Sequence, residues 1–431
     1  MAPSQKIPSD RELQGPGDFS IEHMDVITSV GEKISIKDHG WLSITLSEDI
    51  FQPAVSGRIE IMDTVDLPGN FNLIGNEIIS FEFSTPTLTG INFTGKITKV
   101  TESLDISDAT RGYSLEFVSS EAITSMLTKV RKSYSGMPYS SMANLIYKDY
   151  IKSKKRFEVE GTLNTASLAI PGWNPFISIR SLAARSQSAN PKYQNGSYLF
   201  YEVCDDGSGD GGFKFHSLES LWDQSKVMAH YTNQIKNLGR GDPVSFSAVN
   251  WYAEKARMDT VENIMSGMYA NKVVTHDLVK RKVYSKTYNY KENFNKSVSL
   301  NSKGGSLTDS DLLTTAFDSY EMYMPKQYQS YGGEYQGTTL PEHTLMNRTS
   351  IAQQLNNQVL EISVSGDSER RVGDIVSFAI PAAEGVSGEG DPKPDKFLTG
   401  NYLVTAITHR IISTPESYET VMELSKESIK R

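Results

Sequence analysis

Seven histidines, one cysteine and a large stock of carboxylates are the side chains through which this sequence could do chemistry. His23, His39, His216, His230, His276, His343 and His409 are scattered, with no pair at metal-ligand spacing and no His-Glu-x-x-His. Each reads as a strand or loop residue. Cys204 stands alone, which allows neither an intrachain disulfide nor a thiolate zinc site and suits a reducing compartment. Phosphate-cradling and dinucleotide fingerprints are absent, as is a Gly-x-Ser-x-Gly nucleophile elbow. Asp205, Asp206 and Asp210 could face calcium, but no Glu closes the loop. The stretch Asp205–Gly212 lies between two strand-like runs and reads as a hairpin turn. Arg240-Gly241-Asp242 is followed by Pro243 and reads as an interdomain turn. Asn92, Asn195, Asn295 and Asn347 head Asn-x-Ser/Thr sequences, which matter only in a chain secreted by a eukaryote. Counting leaves room for a glycosidase-type carboxylate pair, yet none stands on a recognisable scaffold. No catalytic residue, metal or cofactor is assigned, and the expectation is a protein that is not an enzyme.

The charge balance narrows the partners. Over 431 residues, 43 basic side chains face 52 acidic ones, a net charge of −9. Affinity for a phosphate backbone comes mainly from Lys and Arg, so a general nucleic-acid grip is not expected. The first 18 residues lack an apolar h-region and read as a flexible arm. No apolar run approaches a membrane-spanning length, so no membrane insertion is expected.

The elements that would position any site are mainly β. From Phe19 to Phe117, short runs rich in Ile, Val, Phe and Thr alternate apolar with polar, as in Phe81-Glu82-Phe83. Their close spacing predicts an antiparallel sandwich or barrel. The period then becomes helical. Ile123, Met126, Leu127, Val130 and Tyr134 form one apolar face, with Ser119 or Ser120 as cap. Met142, Leu145, Ile146 and Tyr150 form a second. A third helix starts at Asn174 as cap with Pro175 in the first position. The runs 198–203 and 213–218 predict a hairpin, which makes 119–235 an α+β insertion. Strand character returns over about 258–290. A polar tract follows, with Tyr320, Tyr323, Tyr328, Tyr331 and Tyr335 crowding its second half. Tyr combines a large contact area with low entropy cost, so these five are candidates for a partner interface. A capping box between Ser350 and Gln353 predicts a helix start. Strands then run to the end.

The last strands repeat the first. Ile59-Glu60-Ile61 corresponds to Leu360-Glu361-Ile362, and the run Leu73–Phe81 to Arg371–Phe378 with one residue fewer. Phe93-Thr94-Gly95 corresponds to Leu398-Thr399-Gly400. Tyr113 and Tyr418 each follow their glycine by 18 residues, and Ser119-x-Glu121-x-Ile123 matches Ser425-x-Glu427-x-Ile429. Five blocks in one order indicate an internal duplication. Gly75, Gly95, Gly373 and Gly400 are its structural turn residues, Gly75 and Gly373 supplying a positive φ.

These blocks, among them Phe93-Thr-Gly-Lys-Ile-Thr-Lys-Val100 and Val359-Leu-Glu-Ile-Ser-Val-Ser-Gly366, resemble the baseplate hub protein of contractile-tailed, T-even-type bacteriophages. The hub fold is shared with spike proteins of contractile secretion systems. The resemblance covers about Phe19 to Ser428 and rests on pattern and order. It implies a mainly β fold with α+β insertions: two similar tube-type antiparallel β-barrel domains, the second discontinuous. The limits are then 1–18 for the arm, 19–118 for the first barrel and 119–235 for the insertion. The second barrel is 236–290 plus 355–431, interrupted by the Tyr-rich insertion 291–354. The resemblance further implies a homotrimer whose six barrels form a pseudo-sixfold ring between tail tube and central spike. Its partners would be the spike, tube or tube-initiator proteins and the tape-measure protein, with DNA passing the lumen unbound. The implied location is the virion tail baseplate, assembled in the bacterial host cytoplasm. A β-rich receptor-binding adhesin, another baseplate structural protein or a tail-associated cell-wall hydrolase are the competing readings.

Overall fold

The computed structural model describes residues 15–37, 40–70, 73–86, 90–107, 110–163, 165–193, 196–204, 211–233, 246–278, 281–294, 296–301, 311–326, 341–381 and 394–429. The first unit runs β1 (Ser20–Ile27), β2 (Lys33–Ser35), β3 (Trp41–Asp49), β4 (Ser56–Asp63), a single-turn α1 (Leu67–Asn70), β5 (Ile78–Ser84), β6 (Gly90–Ser107) and β7 (Thr110–Ser119). Alternation builds its core. Ile59 and Ile61, Phe81 and Phe83, and Ile91 and Phe93 are buried, whereas Glu60, Glu82 and Asn92 between them are not. Phe81, Phe93 and Phe117 meet at its centre, with ring centroids 5.1 to 5.8 Å apart.

The α+β insertion follows. It comprises α2 (Ser120–Leu127), β8 (Val130–Met137), α3 (Tyr139–Ile146, prolonged by a π turn to Ile151), β9 (Arg156–Val159), β10 (Ala166–Trp173), α4 (Pro175–Ala183), β11 (Tyr198–Val203), β12 (Gly212–Ser217) and α5 (Leu218–Trp222). Asn174 caps α4, its Oδ1 accepting the Ile177 N–H at 2.8 Å ahead of Pro175. Ile179, Leu182 and Met142 close over Phe200, Phe213 and Phe215 in a core separate from the first.

The remaining elements are β13 (Ala229–Thr232), β14 (Val249–Arg257), α6 (Thr260–Met265), β15 (Ala270–Asp277), β16 (Lys282–Asn289), α7 (Tyr290–Phe294), α8 (Asp311–Thr315), β17 (Glu321–Lys326), α9 (Pro341–Leu355), β18 (Gln358–Ser365), β19 (Ile375–Ala379), β20 (Gly400–Ser413) and β21 (Glu416–Ser425). No helix among the described residues is long and apolar enough to cross a membrane.

Both halves join in one 13-stranded sheet of order β14-β18-β21-β20-β3-β4-β7-β6-β5-β1-β2, with β19 also on β20 and β13 on β19. The order β3-β4-β7-β6-β5-β1 of the first half therefore recurs as β14-β18-β21-β20-β19-β13 in the second. The blocks of the internal repeat sit on matching strands. Registers are less well kept: Phe81 pairs with Phe93, but Phe378 pairs with Gly400. Ile61 pairs with Tyr113, but Ile362 pairs with Met422, so Tyr113 and Tyr418 are not structural counterparts. Slides of two or four residues keep every side chain on its own face, so a repeat can drift this way without losing its core.

Other details differ from the sequence reading. Val130 and Tyr134 lie in β8, not in a helix. A spacing of four fits a helical face and strand parity equally, and pairing with β10 decides it. Ser350 lies inside α9, its hydroxyl donating to Met268 O at 2.7 Å and accepting from Gln354 Nε2 at 3.2 Å. The capping-box pattern there is a buried tertiary contact. Strand β13, placed by the sequence within 119–235, pairs with β19 of the large sheet. The hairpin β15–β16, assigned to the second barrel, forms a separate sheet with β17 from the Tyr-rich tract. Periodicity identifies a strand but not the sheet it joins. Among the described residues no strand pair closes the first half, whose β3 pairs outward with β20; in the second, one parallel bridge, Thr232 with Ala248, links β13 back to the start of β14.

Gly75 and Gly373 both hold φ at +89°, in turns that start β5 and β19. A Cβ at 373 would lie 2.8 Å from the Tyr201 hydroxyl, whereas one at 75 would meet nothing nearer than 3.6 Å. The φ penalty alone is about 1–3 kcal/mol. Gly373→Val is expected to lose more stability than Gly75→Val in urea unfolding; equal losses, or none, would contradict this account of the turn.

Candidate functional site

Of the five candidate interface tyrosines, Tyr320 and Tyr323 lie among the described residues. Tyr328, Tyr331 and Tyr335 lie outside them. Tyr320 is half-buried, its carbonyl accepting the Lys272 N–H at 3.0 Å. Its ring covers Gly267, where a Cβ would come within 2.6 Å of it. Tyr323 is 71% exposed in β17. It pairs with Val274, and on the same face His276 pairs with Val283, which is also exposed. The opposite face of this sheet buries Val273 with Met346 of α9. Tyr323 and Val283 thus stand exposed on an outer face whose central Val274 is buried. Of the other repeat glycines, Gly95 lies in β6 facing Ile79, where a Cβ would meet Val118 O at 2.4 Å. Gly400 opens β20 with φ +150° beside Asn301.

A second constellation gathers where the two halves and the insertion meet, and motif reading missed it. The Glu202 carboxylate of β11 accepts from the Val55 N–H at 2.9 Å and from Lys155 Nζ at 2.6 Å. Lys155 also reaches Glu121 of α2 at 2.9 Å. This buried chain of charges fixes the insertion to the first half. Burial would raise the Glu121 carboxyl, but Lys155 and Ser153 outweigh it and the net shift is downward. For Glu202, which is fully enclosed, burial prevails and its carboxyl is raised despite Lys155. On the other side, Arg371 donates from Nε to Cys204 O at 3.0 Å and from Nη1 to Ser368 O at 2.6 Å, which ties the second half to the insertion. Burial pushes up both the Cys204 thiol and the Glu48 carboxyl, the latter against the pull of Arg371. A buried thiol with a raised pKa is a poor nucleophile. His409 of β20 is buried with Nδ1 2.8 Å from the Tyr418 hydroxyl.

The signal for these residues was parity. Glu48 continues the buried series Ile44 and Leu46, and His409 falls between Ile407 and Ile411. A charged or titratable residue at a core position of a strand needs a tertiary partner. Among the described residues no three His, Cys, Asp or Glu are grouped so as to hold a metal. His39, the His343 side chain, Asp205–Asp210 and Arg240–Asp242 lie outside the described residues. The arrangement does no evident bond chemistry; it locks three bodies together.

Burial, and then the Arg371 guanidinium, hold His409 down to about 3. In the unfolded chain it would titrate near the usual value of about 6.5. Between those values only the unfolded chain takes up the proton, so the His409 contribution falls as pH drops. The limiting slope is about 1.4 kcal/mol per pH unit. The raised carboxyls of Glu48 and Glu202 act in the opposite sense, gaining stability as pH falls through their folded pKa values, so a difference measurement is required. The stability gap between the wild type and His409→Gln is expected to narrow between pH 6.5 and 4.5; a constant gap would exclude a buried neutral imidazole.

No family model matches this chain, and no curated protein sequence matches it. Solved structures do. The tail protein from Neisseria meningitidis MC58 superposes with a TM-score of 0.53 at 11% identity, covering 94% of this chain and 96% of that one. The prophage MuSo2 43 kDa tail protein from Shewanella oneidensis gives 0.55 at 9% identity, covering 95% of this chain and 100% of that one. At such identities the likeness is one of architecture: this chain has the fold of these two tail proteins.

Proposed function

We propose that this chain is a structural baseplate hub of a contractile tail: a homotrimer forming a pseudo-sixfold ring that joins the sixfold tail tube to a threefold central spike. The observation that carries this reading is the doubled strand order within one sheet. A chain with two copies of one unit gives six similar units when three chains close in a ring, so threefold and sixfold symmetries can meet in one body. The shared fold with two tail proteins, one of them from a prophage, supports the setting. In this reading the partners are the spike, tube or tube-initiator proteins and the tape-measure protein. The protein sits in the virion baseplate after assembly in the host cytoplasm. The net charge of −9 suits a lumen that DNA crosses without being held. The role is mechanical, and no catalysis is assigned to any residue.

Negative-stain imaging of the purified protein, alone and mixed with its spike, tests this. A threefold ring that retains the spike is expected; a monomer that ignores the spike, or an isolated protein that binds glycans instead, would overturn it. The outer face of β17 is assigned to a partner contact in the same assembly. Tyr323→Ala is therefore expected to leave thermal unfolding unchanged and to weaken assembly. Undiminished assembly by that variant would remove Tyr323 from the interface.

A further inference from the structure

A pocket of about 220 Å³ opens between the insertion and α9. Its walls come from the end of β3 with Ile50 and Phe51, from Arg180 on α4, from Ser197–Phe200 at the start of β11, from Leu218, and from Arg348 on α9. Close approach of α9 shapes it. A Cβ at Gly196 would stand 3.1 Å from the Thr344 side chain and 2.7 Å from Ser186 O, so the backbone beside Ser197 must be bare.

Three polar groups stand on this otherwise apolar wall: Arg180 is exposed, Arg348 partly exposed and Ser197 buried. Neither guanidinium, Arg180 nor Arg348, has a hydrogen bond or ion pair among the described residues. The buried Ser197 hydroxyl has none either. Arg348 is only partly exposed, and burial lowers its pKa. An unpaired, partly desolvated cation is a cost that the fold itself does not require. In a chain carrying nine net negative charges, carboxylates are plentiful, yet none among the described residues lines this pocket. A buried hydroxyl kept without a partner beside a partly desolvated cation, at some expense in stability, is a mark of a binding site.

We propose that this pocket binds a side-chain-sized carboxylic acid with an apolar stem, its carboxylate held between Arg180 and Arg348 and its stem against Phe51, Leu199 and Phe200. Guanidinium groups present paired donors that match a carboxylate. The Ser197 hydroxyl supplies a further donor. The volume is below the ~300–1,000 Å³ of pockets that enclose drug-sized ligands, which limits the guest to a short chain. Such a group arrives either as a free short-chain acid or as the carboxyl end of a peptide. The inference does not depend on the hub reading.

Calorimetric titration of the full-length protein tests it with five probes: hexanoate, hexanamide, inorganic phosphate, and N-acetyl-Gly-Leu as acid and as amide. Saturable binding of hexanoate and not of hexanamide is expected, weakened at least tenfold in both Arg180→Gln and Arg348→Gln. Tighter binding of the peptide acid than of hexanoate assigns the site to a peptide terminus; weaker binding assigns it to a free acid. Phosphate binding as tight as hexanoate would overturn the role of the apolar stem. Absence of saturable binding by either acid, or unchanged affinity in the variants, would overturn the site. Arg348→Met without ligand is expected to match or exceed the wild-type thermal midpoint; a clear drop would mark Arg348 as a support of the fold and refute the assignment.

Discussion

The antiparallel pairing of β3 with β20, running from Ile412 opposite Ser43 to Ala406 opposite Asp49, is the contact on which the architecture depends. It converts two strand sets into one sheet and makes the β20–β21 hairpin a member of both halves. The base of that hairpin, from Leu403 to Ile407 with Met422 and Leu424, lines the second core. Its tip carries Ile411 and Tyr418 into the first core, where the Tyr418 ring lies 5.4 Å from Phe83. Separating the halves would expose one end of each core, so they are expected to unfold together despite their separate origins in the chain.

Buried charge is concentrated along this seam. Glu48 lies on β3 opposite Ile407, and His409 lies two residues further along β20. Glu202 and Lys155 anchor the insertion beside them, and Arg371 binds the insertion backbone from the other half. Replacing such groups with apolar residues is often neutral or stabilising, whereas removing one partner is severe. Their value therefore lies in geometry. Directional bonds hold three bodies at fixed angles, which apolar contact alone does not specify.

The duplication explains the strand order but not the differences between the copies. Where the first half joins β3 to β4 through the short segment 50–55, the second inserts a separate three-stranded sheet with α9 between β14 and β18. Helix α9 then packs back against the first insertion, and the carboxylate-sized pocket exists only because of that contact. Divergence of the copies thus generated surfaces that neither copy had alone.

Much of the fold was legible in the sequence. Strand alternation, the Asn174-Pro175 cap, the hairpin 198–218 and the repeated blocks were local signals, and local hydrogen-bond geometry enforces them. The turn glycines at 75 and 373 were legible for the same reason, because a positive φ excludes most other residues. Four things were decided only by tertiary structure. These were the sheet that β15 and β16 join, the slide of the second copy's registers, the strand identity of Val130 and Tyr134, and the meeting of Glu202, Lys155, Arg371 and His409. Each depends on segments far apart in the chain. Sequence periodicity records which face of an element is apolar, but not what will be packed against it. Glu48 and His409 stood at core positions in plain view, yet only the folded chain showed which neighbours share their burial.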